Sequence, residues 1–198
     1  MKIQTVIIAL AATVLAGCFD VQPTSVHDGN GKWVTRLPDG TVIESTYVGG
    51  ERHGRSVSWS PDGSVSEGNF VGGKRHGRWV TRLPDGTVFF ENNWVNGVAH
   101  GRSVWRYPDG KVVEGNAVNG KHHGRWVTRY PDGRVHEVTF VDGKKHGQAV
   151  TRYPDGMVMD GAYVDGVLQD WSIFRYPDGR VKRVTFRNGK VVKEEWLH

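Results

Sequence analysis

From residue 30 onward, apolar and polar residues alternate with a period of two, in runs of six to eight residues separated by short polar breaks. Trp79, Thr81 and Leu83 fall on one side of such a run, and Arg78, Val80 and Arg82 on the other. The same split recurs in Trp126, Thr128 and Tyr130 against Arg125, Val127 and Arg129, and in Trp105 and Tyr107 against Arg102, Val104 and Arg106. Alternation of this kind in segments rich in Val, Thr, Trp and Tyr predicts β-strands with one aromatic face and one Arg-Val-Arg face.

The breaks are of two kinds. Pro-Asp-Gly begins at Pro38, Pro61, Pro84, Pro108, Pro131, Pro154 and Pro177, at spacings of 23, 23, 24, 23, 23 and 23 residues. Pro presets φ for a type I turn and Gly takes the left-handed position after it, the three-residue hairpin with a G1 bulge. Between these breaks lie Gly49-Gly50, Gly72-Gly73, Asn96-Gly97, Asn119-Gly120, Asp142-Gly143, Asp165-Gly166 and Asn188-Gly189, dipeptides suited to two-residue hairpins with positive φ. Strands joined by hairpins are antiparallel neighbours. The chain therefore predicts an all-β fold, an elongated antiparallel β-hairpin meander of seven repeats of about 23 residues, with about 14 strands over about 65 Å. The one 24-residue spacing predicts a bulge near Phe89 and Phe90. His-Gly precedes five of the prolines by eight residues, at His53, His76, His100, His123 and His146, and the end repeats depart from this as caps of a stacked array do.

Residues 1–29 break the pattern. Lys2 is followed by an apolar run from Val6 to Leu15 and then Ala16-Gly17-Cys18. Such a run is the core of a secretory signal peptide and is too short for a membrane-spanning helix. Leu15-Ala16-Gly17-Cys18 resembles the lipobox of bacterial lipoproteins, which implies a signal peptide over 1–17, an acylated Cys18 of the palmitate type, and a tether over 18–29. An Asp directly after the Cys would imply retention at the inner membrane. Phe19 stands there, so the resemblance implies the outer membrane.

Composition narrows the function. Twenty-seven Gly and 8 Pro in 198 residues exclude long helices, and 37% hydrophobic residues at a net charge of +5 exclude a disordered chain. With residues 1–17 removed, 25 basic residues face 21 acidic ones, a balance of +4. One Cys excludes an internal disulfide framework. The export signal argues against nucleic acid as a partner despite a pI near 9.4.

Glu67-Gly68-Asn69-Phe70-Val71-Gly72-Gly73-Lys74-Arg75-His76-Gly77 is similar to the MORN repeat, as is the segment from Glu114 to Gly124; Ser66, Val113 and Met159 depart from its tyrosine and Val138 from its glycine. The resemblance covers about residues 30 to 189. It implies a hairpin ribbon that scaffolds or binds, with no catalytic group, cofactor or metal of its own.

The residues agree with a non-enzymatic reading. Equivalent His in successive repeats stand about 9 to 10 Å apart, too far to converge on one zinc, and the turn Asp residues at similar spacing fall outside the range of a glycosidase pair. The candidate binding face comprises Trp33, Trp79, Trp105, Trp126, Tyr107, Tyr130 and Tyr153, which either form the inner face of a curled ribbon or meet a partner segment or sugar chain. The candidate basic face comprises Arg78, Arg82, Arg102, Arg125 and Arg129, either a solvated face or a seat for an acidic partner. The expected function is a protein-binding scaffold on an envelope lipoprotein, its partners being the membrane through Cys18 and an envelope protein. Alternatives are a module for glycan, peptidoglycan or anionic lipid, and an antitoxin or immunity role.

Overall fold

The computed structural model describes residues 29–187 and 190–197. Cys18, the signal peptide over 1–17 and the tether, apart from Gly29, lie outside the described residues.

The strands are β1 (Gly31–Arg36), β2 (Val42–Val48), β3 (Glu51–Trp59), β4 (Val65–Val71) and β5 (Lys74–Arg82). They continue with β6 (Val88–Val95), β7 (Val98–Arg106), β8 (Val112–Val118), β9 (Lys121–Arg129) and β10 (Val135–Val141). The last are β11 (Lys144–Arg152), β12 (Val158–Val164), β13 (Val167–Arg175), β14 (Val181–Arg187) and β15 (Lys190–Trp196). All 15 form one antiparallel sheet in chain order, β1 through β15, so the meander is as the turn code predicts. There is one strand more than seven two-strand repeats supply, because the chain after β14 folds back as β15.

Each Pro-Asp-Gly turn is closed three times over. In the first, Leu37 N–H donates to Thr41 O at 2.8 Å, Gly40 N–H donates to Leu37 O at 3.0 Å, and Thr41 N–H donates to Asp39 Oδ1 at 2.8 Å. The Asp holds the turn through its side chain as an Asx-type bond. The two-residue turns have positive φ at both positions, as at Asn96 (50°) and Gly97 (82°), the type I′ geometry that Asn-Gly favours.

The glycine after each His carries a third backbone device. Gly77 has φ of 71°, and the ladder between β4 and β5 shifts register there, pairing Asn69 with His76 but Glu67 with Val80. A residue in the left-handed region opens a bulge that bends its strand. The His rings themselves are exposed, so the structural work at His-Gly falls to the glycine. The extra residue of the third repeat appears as a bulge at Phe89, where Thr81 pairs with Phe90 and Arg82 with Val88.

Packing contacts of any extent run between neighbouring strands, so both faces must bury apolar surface within one layer. On the aromatic face, the Trp79 indole lies flat on Gly68 and the Trp126 indole on Gly115. A Cβ at either glycine would stand 2.3 Å or 2.2 Å from ring atoms. Each indole N–H is satisfied by the next carbonyl, Asn69 O or Asn116 O, at 3.1 Å. Trp79 and Trp126 are 7% and 3% exposed, which makes them core.

This packing has a period of two hairpins. Gly68, Gly115 and Gly161 alternate with Ser45, Asn92, Val138 and Val184, while Trp33, Trp79 and Trp126 alternate with Ser56, Ser103 and Ala149. Where the tryptophan is absent, smaller groups fill the row, as in the buried Ser45–Ser56 hydroxyl pair at 2.7 Å.

Gly68→Ala and Gly115→Ala drive a methyl into an indole ring and are expected to cost about 1–3 kcal/mol or more. Gly161→Ala meets only Ser172 Oγ at 3.2 Å and Leu168 Cδ1 at 3.6 Å, and is expected to cost well under that. Thermal denaturation of the three variants checks the order.

Candidate functional site

The charged face is built around one continuous cross-strand row. Direct pairing runs Val57, Glu67, Val80, Glu91, Val104, Glu114 and Val127, and continues through Glu137 and Val150 to Asp160. A carboxylate thus stands opposite a valine at every step. Val57, Val80, Val104 and Val127 are buried at 3%, 4%, 0% and 6%, although no second layer covers them. Their cover is the arginine and glutamate side chains on either side, whose stems lie over apolar surface.

The arginines of the candidate basic face are partners in this row. Arg78 grips Glu91 with two bonds of 2.9 Å, Arg125 Nε donates to Glu137 at 2.9 Å, and Arg102 Nη2 donates to Glu114 at 3.2 Å. Arg129 donates to the other oxygen of Glu114, while Arg82 lies toward the Pro-Asp-Gly edge with Nη1 3.5 Å from Gly86 O. These bonds hold the carboxyls of Glu91, Glu114 and Glu137 below the usual range, through Arg78, Arg129 and Arg125 respectively, against a smaller opposing effect of burial. Arginine outnumbers carboxylate here: Arg78, Arg82, Arg102, Arg106, Arg125 and Arg129 stand beside Glu67, Glu91, Glu114 and Glu137. Arg106 Nη1 is buried with no acceptor among the described residues. The alternation of Arg and Val was legible in sequence. The carboxylates were legible only as acidic residues interleaved with the arginines; the recurrence of Glu44, Glu67, Glu91, Glu114, Glu137 and Asp160 at one position of β2 through β12 was the available signal for their row.

The aromatic candidates pack mainly against other rings of their own face, and Trp105 also meets Trp126 at 5.6 Å. Trp33 stacks on Tyr47 at 4.6 Å, Trp105 on Phe90 at 4.9 Å, and Trp126 under His122 at 3.8 Å. Burial lowers the His122 pKa, which keeps the ring neutral over the indole. Arg75 lies 4.4 Å above Trp79 and 5.1 Å above Trp94, a cation–π roof. Tyr107, Tyr130 and Tyr153 stand half-buried at the Pro-Asp-Gly edge, the first two under Lys111 and Arg134. Among the described residues, no three His, Cys, Asp or Glu side chains gather as a metal would need.

A feature the sequence reading did not single out is a row of exposed valines beside the two-residue turns. Val48, Val71, Val95, Val118, Val141 and Val164 are 37 to 56% exposed, and Val98 and Val167 join them at 44% and 66%. They share the charged face and follow one edge of the sheet for most of its length.

Four segments, residues 44–65, 67–88, 93–112 and 139–158, match the family model of the MORN repeat. These four segments are MORN repeats. Among solved structures, the MORN ribbon is similar to the G-box domain of the microcephaly protein CPAP, at 20% identity over 85% of this chain and 99% of that one, with a TM-score of 0.37. It is also similar to the SAS-4 (dCPAP) TCP domain of Drosophila melanogaster in complex with a proline-rich motif of Ana2, at 15% identity, 84% and 97% coverage, and a TM-score of 0.44. The TCP10 domain of Danio rerio CPAP gives 21% identity, 86% and 98% coverage, and a TM-score of 0.35. Likenesses this loose carry no functional argument. No curated protein matches the chain.

Glu114 has a lower pKa folded than unfolded, so it stabilises the ribbon at neutral pH, and that contribution is lost as pH falls through the usual carboxylate range toward the folded value. Glu114→Gln is expected to lower stability at pH 7 by about 1 kcal/mol, and the difference from the parent is expected to be smaller at about pH 3. Urea denaturation at the two pH values checks this.

Proposed function

We propose that this MORN ribbon is a non-enzymatic scaffold of the bacterial cell envelope, lipid-anchored through Cys18 to the outer membrane, that binds a protein partner along its valine edge. The observation that carries the reading is the row of exposed valines. The sheet buries its tryptophans and its central valines with its own side chains, yet leaves eight valines of one edge in solvent. Valines exposed at a regular interval along one edge, interleaved with Glu51, Lys74, Lys121 and Lys144, suit a contact surface with both apolar and charged components. The ribbon has regular turns at both edges, and those of the valine edge are bonded in unbroken series, so that edge offers a long surface on which a partner meets several equivalent positions at once. The lipobox ending in Cys18 and the Phe19 that follows it supply the anchor and the membrane.

Two measurements test this. Photo-crosslinking residues placed at Val71 and Val118 in the native cell are expected to give one discrete adduct, absent when the same group is placed at Thr41 or Lys111 on the opposite edge. Val71→Asp with Val118→Asp is expected to reduce the co-purified partner at least tenfold without shifting the melting temperature, because both side chains are exposed. Equal adducts from both edges would remove the scaffold reading. Palmitate incorporation that survives Cys18→Ala would remove the anchor.

A further inference from the structure

The charged face holds two shallow pockets that are copies of each other. One, of about 300 Å³, is lined by Arg102, Glu114, Gly115, Asn116, Arg125 and Arg129 over a Val127 floor. The other, of about 250 Å³, is lined by Arg55, Glu67, Gly68, Asn69 and Arg78 over Val80. They lie on β7–β9 and β3–β5, four strands apart, which is about 19 Å.

Each pocket sets guanidinium groups on both sides of an asparagine. Arg55 pairs directly across from Asn69, and Arg102 across from Asn116, while Arg78 and Arg125 enter from the bulge of the next strand. One carboxylate stands among three arginines in the first pocket, bonding Arg102 and Arg129, and among two in the second, bonding Arg55, while Arg125 and Arg78 turn to Glu137 and Glu91. The exposed Asn69 and Asn116 carboxamides have no hydrogen-bond partner among the described residues. Asn93, at the intervening position, is already used, donating to Arg102 O at 3.2 Å. The next place in the two-hairpin series has Ala162 for the asparagine, and Gln148 and Trp171 for the arginines. The arrangement therefore occurs twice.

We propose that these two pockets bind an acidic polysaccharide, with Asn69 and Asn116 as amide donors and the flanking arginines as the charge partners of its oxyanions. Each of these guanidiniums keeps N–H donors beyond those its glutamate uses, and such donors beside a free amide suit a carboxylate or sulfate ester, which takes forked hydrogen bonds from Arg. The pockets offer no apolar anchor, since Val80 and Val127 are buried at 4% and 6%, and a peptide would need one. A polymer of identical acidic sugars presents its charges at one fixed interval, so a single chain can engage two equivalent sites and gain avidity from the link. The inference does not rest on the valine edge, and substitutions there leave both pockets intact.

The test measures binding of the full-length protein to polygalacturonate, dextran sulfate and unsubstituted dextran. The expected result is binding to an acidic polymer and none to dextran, with polygalacturonate against dextran sulfate separating carboxylate from sulfate ester. Asn69→Asp with Asn116→Asp is expected to weaken binding at least tenfold, each single change less, and Asn→Ala at both positions about threefold. Asn96→Asp with Asn119→Asp changes the net charge equally, at turn positions where Asp142 and Asp165 already stand, and is expected to change affinity less than twofold. An equal loss in that control pair, equal binding to dextran, or no binding to either acidic polymer overturns the proposal.

Discussion

The ribbon depends on one constraint: a single-layer sheet has two wet faces and no partner layer, so every apolar side chain it buries must be covered by neighbours in the same sheet. Layered domains meet this need by packing a second element on the first. Here each face is covered by its own long side chains. On the aromatic face a flat indole replaces the missing layer, and it can lie flat only because the strand below presents glycine, as at Gly68 and Gly115. On the charged face the cover is arginine, held across the valine row by glutamates spaced one per two strands. Exposed ion pairs contribute little singly. Their larger effect here is to hold aliphatic stems over Val57, Val80, Val104 and Val127.

That constraint also separates what was legible in sequence from what was not. Turn chemistry is local, so Pro-Asp-Gly and Asn-Gly gave the hairpins, their types and the strand order without knowledge of packing. The alternation of faces is equally local. The tryptophan-on-glycine contact joins residues 11 apart on different strands, and its two-hairpin period hides beneath a turn code that repeats every hairpin. Val138 reads as a departure when each hairpin is compared with the next, and as regular when compared with Asn92 and Val184 two hairpins away. The glutamate row was hidden for a similar reason, since only the bulge at His-Gly brings Glu67 opposite Val80. The last strand was missed because Lys190–Trp196 follows the final turn signal with no further turn to mark it.

Successive turns also bond along the two edges, and the two edges differ. Beside the two-residue turns the bonding is unbroken, with Gly73 N–H donating to Arg52 O at 2.9 Å, Gly97 to Arg75 O at 2.8 Å and Gly120 to Ala99 O at 2.8 Å. Each repeat there is fastened to the one before it. At the Pro-Asp-Gly edge the fastening is by contact, a Cβ at Gly63 falling 3.2 Å from Pro84 and one at Gly133 falling 3.1 Å from Pro154.

The proline edge is interrupted once. Gly86 has nothing within 4 Å, because the extra residue at Phe89 lengthens the path to Pro108 and carries the next turn out of reach. One edge is therefore continuous through the third hairpin and the other is not, which makes this hairpin a joint fastened on one side only. Phe89 sets its ring edge-on to Tyr107 at 5.9 Å across this gap, replacing a backbone stack with a softer aromatic contact. The joint falls between β5 and β7, and so between the two arginine–asparagine pockets. Each pocket sits within a regular stretch of stacked turns that fixes its internal geometry, while the distance from one to the other is set across the single place where that stacking is relaxed.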